Sequence, residues 1–106
     1  MGSVCTQVSS GIGDAAFRHA VEDAGLHPAS DSEVAWIAQR LCLAVHRPTS
    51  VFVRSAGRDR QVVAIHRVQR GIAIVAGIPD GAPTVPWYAI GTEDALRRRL
   101  AELVDG

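Results

Sequence analysis

Between residues 49 and 78, three runs rich in β-branched residues (49–55, about 60–68 and 71–78) are separated only by Ala56-Gly57-Arg58-Asp59 and Gln69-Arg70. Connections this short join antiparallel neighbours, so the spacing predicts a meander. Side chains alternate along a strand. With an even-length first turn, one face carries Phe52, Arg54, Gln61, Val63, Ile65, Arg67, Ile72, Ile74 and Ala76. The other carries Val51, Val53, Val62, Ala64, His66, Val68, Ala73, Val75 and Gly77. Neither set is polar, whereas a sheet with one wet face alternates apolar with polar residues. Both faces therefore need a cover, supplied by the chain's own helices or by another molecule.

Three helices are available for that cover. Phe17, Ala20, Val21 and Ala24 fall at i, i+3, i+4 and i+7, and Gly25 stops the run. Ser30-Asp31-Ser32-Glu33 has capping-box spacing and opens a second helix, expected to reach about His46 with Val34, Ile37, Ala38, Leu41 and Val45 along its stripe. Arg47-Pro48 then ends it, because the residue before proline disfavours helix. After the loop Ile78-Pro79-Asp80-Gly81-Ala82-Pro83, a fourth strand is expected over Val85 to Ile90, at an edge because of Pro86. Thr92 caps a last helix with Leu96, Leu100, Leu103 and Val104 on one side.

The expected fold class is α+β: two N-terminal helices, a four-stranded antiparallel meander and a C-terminal helix, in one domain over residues 1–106 with 1–12 as a flexible lead. The expected core contains Phe17, Val21, Ile37, Leu41, Phe52, Val63, Ile65, Ile72, Ile74, Leu96 and Leu100.

Charge is balanced overall, with 11 basic and 11 acidic residues, but it is unevenly placed. Residues 40–79 hold Arg40, Arg47, Arg54, Arg58, Arg60, Arg67 and Arg70 against the single acid Asp59, while the flanking segments are acidic. There is no lysine, so every cation is a planar guanidinium suited to fixed pairing within the fold. The arginines frame an apolar centre instead of forming a stripe, and no aromatic other than His66 lies among residues 54–70 to stack on bases. Nucleic acid is not an expected partner.

Chemistry-bearing residues do not converge. Cys42 and His46 lie at i,i+4, but two ligands make no zinc site, and His19, His27 and His66 are scattered. Gly11-Ile12-Gly13-Asp14 lacks the Gly-Lys-Ser/Thr ending of a phosphate loop. Asp59, Asp80 and Glu93 occupy ordinary turn and first-turn positions. The expectation is a non-enzyme with no metal and no cofactor. Two cysteines, no apolar run of spanning length and a start without the regions of a secretory signal suit a cytoplasmic protein that does not enter the membrane.

Trp and Tyr are preferred interface anchors, and Trp36, Trp87 and Tyr88 lie off the main helical stripe or on the expected edge strand; the competing expectation, at least as strong for Trp87, is a core aromatic packing the last helix. Together with the second sheet face, they give the expected partner-binding residues: Val51, Val53, Val62, Ala64, Val75, Trp36, Trp87 and Tyr88. A homodimer joined through that face or through an exposed strand edge is expected, since apolar area left in water is costly.

From about residue 31 onward, the helix ending Ala-Val-x-Arg-Pro, the Gly-Arg turn, VVAIHR, RGIAIVA, the Asp-Gly loop and ALRRRLAELV resemble one half of the EspG family, the cytosolic chaperones of type VII (ESX) secretion. The resemblance implies a non-enzymatic adaptor or chaperone-like protein, secretion-associated, whose partner is a helical secretion substrate. It places no family binding residue on this chain. A toxin-immunity or regulatory protein is the alternative, and a nucleic-acid module acting through the arginine-rich turns is the weaker one.

Overall fold

The computed structural model describes residues 11–43 and 51–105. Helix α1 (Asp14–Asp23), strand β1 (His27–Pro28) and helix α2 (Asp31–Leu41) come first. Strands β2 (Val51–Ala56), β3 (Arg60–Arg67), β4 (Ile72–Pro79) and β5 (Tyr88–Ile90) follow, and helix α3 (Glu93–Asp105) ends the order. The strands form one sheet in the order β1-β2-β3-β4-β5, every pair antiparallel. The fold is α+β, with the meander as expected and one strand more.

The extra strand is β1, which pairs His27 with Val53 and Pro28 with Phe52. Two residues, one of them proline, carry no strand periodicity; it is their position after Gly25 that lays them along β2. Residues 68–70 form a 3-10 turn, so β3 ends at Arg67. Ile12, expected in a flexible lead, is instead buried, with its N–H bonded to the carbonyl of Gly71. The rest of that lead, residues 1–10, lies outside the described residues.

The capping box at the start of α2 forms as its spacing implied. Ser30 Oγ accepts from the Glu33 N–H at 3.2 Å, and the Ser30 N–H donates to Glu33 Oε1 at 2.9 Å. The helix does not run to His46. Cys42 takes a left-handed conformation, φ 55, and its N–H and that of Leu43 both return to the carbonyl of Ala38. This closes the helix a turn early, by a cap normally built on glycine. Val45, His46, Arg47 and Pro48 lie outside the described residues.

The faces of β2 are the reverse of those expected for an even turn. The β2–β3 turn holds three residues, Gly57 to Asp59, closed by the pair Ala56–Arg60. An odd turn flips β2 relative to β3, so Phe52 stands opposite Ala64 and Val75, while Val51 stands opposite Ile65 and Ile74. The β3–β4 register matches the expectation.

Each face has its own core. Phe52, Val62, Ala64, Ala73, Val75 and Ile90 pack under α1 and α3 with Ile12, Phe17, Val21, Leu96 and Leu100. Val51, Val53, Val63, Ile65, Ile74, Ala76 and Ile78 pack under α2 with Val34, Ile37, Leu41 and Val85. The chain thus covers both apolar faces with its own three helices. Of the expected core, Ile72 alone is only half-buried.

Candidate protein-binding edge

Two of the mid-chain arginines, Arg54 and Arg60, serve the fold. Arg54 Nη1 donates to the carbonyl of Ala24 at 2.6 Å, and Arg60 Nη2 to that of Leu103 at 2.9 Å. Each thereby places a cation at the C-terminal end of a helix, where the free carbonyls concentrate negative potential. Arg97 joins α3 to α1, reaching Asp23 at 2.6 Å and Glu93 at 2.9 Å. Its hydrogen bonds to Asp23 and then to Glu93 hold its guanidinium further on the charged side than usual. A cleft of about 260 Å³ between α1 and α3 includes Arg54, Arg97 and Asp23 in its lining. Those three groups are already engaged with one another or with backbone.

Among the described residues no group of three or more His, Cys, Asp or Glu side chains is placed to hold a metal ion, and no helix is long and apolar enough to cross a membrane. Cys42 carries an exposed free thiol, and its expected neighbour His46 is outside the described residues.

Of the expected partner-binding residues, five are inside the molecule. Val51, Val53, Val62, Ala64 and Val75 are at most 1% exposed. They do not share a face either: the first two lie beneath α2 and the other three beneath α1 and α3. A contact surface built on them is corrected by the helical cover, which already removes their area from water. Trp36 is half-buried on the flank of α2, with the Arg40 guanidinium 5.0 Å from its ring centroid.

Trp87 and Tyr88 remain, each 41% exposed, the large apolar side chains most open to water among the described residues. Their segment is shaped by three local features. Pro86 has no N–H to give a ladder. Val85 is anchored in the core under α2. Tyr88 begins β5 opposite Val75, on the α1/α3 side, where the Arg99 guanidinium lies 4.0 Å from its ring centroid. Arg99 is in turn paired with Glu102 at 3.1 Å. Residues 85–88 therefore pass along the sheet margin from one core to the other.

Among the described residues β5 is the outer strand on its side of the sheet, and it pairs with only Ala73 to Val75 of the longer β4. Its outward backbone groups are of the kind that accept a further strand. The opposite margin, β1, is two residues long and contains Pro28, which blunts it. Proximity of Trp87 and Tyr88 to Pro86 was visible in the sequence; the clasp of Arg99 over Tyr88 was not, because nothing in the spacing of residues 88 and 99 encodes it.

No protein-family model, curated protein or solved structure matches the chain.

Proposed function

We propose that the protein is a non-enzymatic adaptor or chaperone-like protein that binds a protein partner along the β5 edge. Trp87 and Tyr88 are the anchors, and the partner contributes an extended segment beside Tyr88–Ile90. One observation carries the reading: two adjacent aromatic residues remain exposed at the start of an outer strand, Trp87 just before β5 and Tyr88 as its first residue, while the described sheet faces are otherwise buried. The likeness of the chain from about residue 31 onward to half of a secretion chaperone supports a secretion-associated client and a cytosolic location. A homodimer through the sheet face loses its motive, since both faces are covered. Pairing of two β5 edges is the form of self-association still open.

The test is crosslinked affinity purification from the native cell, with wild type and a Trp87→Ala/Tyr88→Ala variant compared. A client recovered with wild type and lost with the folded variant supports the reading. Equal recovery by both, or recovery of neither client nor second copy, contradicts it.

A further inference from the structure

His66 is the one polar side chain in the buried cores of the described residues, and only half of its ring chemistry is satisfied. It stacks on Phe17 of α1, with centroids 4.7 Å apart and planes 13° from parallel. Nε2 lies 2.8 Å from the carbonyl of Ile12. A carbonyl only accepts, so Nε2 carries the hydrogen and, in the neutral ring, Nδ1 is left with a lone pair. That Nδ1 is buried without a hydrogen-bond partner, 3.8 Å from Asp14 Oδ1. A lone pair this near a carboxylate gains nothing from it, whereas a charged imidazolium in the same place is attracted to it.

Ile12, which His66 holds by its carbonyl, is the seat of the segment leading into α1. Its own N–H bonds to Gly71, and Gly11 approaches Gly71 so closely that an added Cβ would lie 2.6 Å from the Gly71 oxygen. We propose that His66 and Asp14 form a proton-operated latch on this segment: uptake of a proton at Nδ1 turns the contact with Asp14 into an ion pair and holds Ile12 more firmly against the β3–β4 connection. Among the described residues the charged groups concerned both belong to α1: Asp14, and Arg18, whose Nε lies 3.6 Å from the same carboxylate and competes for it. Beside His66, β4 presents Ala73, and on the β2 side the position before Val51 lies outside the described residues. The side chain of Asp14 is 69% exposed, so its pull is screened by water and the effect is graded. The latch is independent of the reading of β5.

The test is NMR of the full chain from pH about 8 down to about 5, the range in which imidazoles ordinarily change charge. Imidazole ¹⁵N shifts report the ring, and the Ile12 amide protection factor, taken relative to Val63 and Ala64 in the sheet, reports the latch. The ring should be the Nε2–H tautomer at high pH. On gaining its second proton, it should raise relative Ile12 protection by about three- to tenfold. Asp14→Asn, at an exposed position, should keep the fold and abolish that rise. A ring that stays neutral until the chain unfolds, protection that is flat or falls as the ring protonates, or an Asp14→Asn chain that behaves as wild type would each overturn the proposal.

Discussion

Arg54 and Ala24, thirty residues apart in sequence, meet at 2.6 Å where the β2 guanidinium closes the end of α1. Arg97 and Asp23 meet at the same distance beside them, but there the side chains are 36% and 67% exposed. Equal lengths do not mean equal worth. The first contact satisfies a part-buried carbonyl, whereas the second replaces water with a screened ion pair.

Arg54→Met is therefore expected to lower stability by about 1–3 kcal/mol in denaturant titrations, and Arg97→Met by much less. Gly25, at φ +85, lies where an added Cβ would come within 2.5 Å of Arg54 Nη1. Gly25→Ala is expected to dislodge the same contact, so the double variant with Arg54→Met should lose less than the sum of the singles. Strict additivity would show that the two residues act separately.

Cys42 spends a non-glycine residue on a left-handed helix cap in an exposed position. Cys42→Gly should raise stability by about 0.5–1 kcal/mol, measured as a shift of the denaturation midpoint without a change of slope. A loss of stability would mean that the thiol makes a contact worth more than the strain.

Val62 and Val75 are 0% exposed in the core beneath α1 and α3. Val62→Asp and Val75→Asp should each cost more than about 4 kcal/mol and unfold the chain, because a carboxylate there has no partner. A folded variant of unchanged stability would contradict the helical cover. The same substitution on an uncovered interface would instead dissociate a dimer and leave a folded monomer, which circular dichroism distinguishes.

Local chemistry was legible where one short segment decides the outcome. Ser30 and Glu33 are three residues apart, and their reciprocal bonds follow from that spacing. The β3–β4 register followed from alternation on either side of an even-length connection at Gln69-Arg70. What failed was decided by a single residue or by distant contact. One residue in the Gly57–Asp59 turn turned β2 over, which separated Val51 and Val53 from Val62, Ala64 and Val75. The α2 terminus rests on the backbone angle of Cys42, a residue type that gives no such signal. Of the candidate site, the edge position of Tyr88 was legible because Pro86 marks an edge, whereas the exposure of Trp87, for which a core position was as much expected, and the burial of the other sheet residues depended on where three helices settle.

Binding of a partner along the β5 edge is the central proposal. Hydrogen–deuterium exchange of the chain, alone and with the partner recovered by crosslinking, reads that edge residue by residue. Added protection concentrated over Trp87 to Gly91, with α2 and the α1–α3 cleft unchanged, is the expected result. Protection confined to the helices, with β5 exchanging as freely as in the isolated chain, would contradict it.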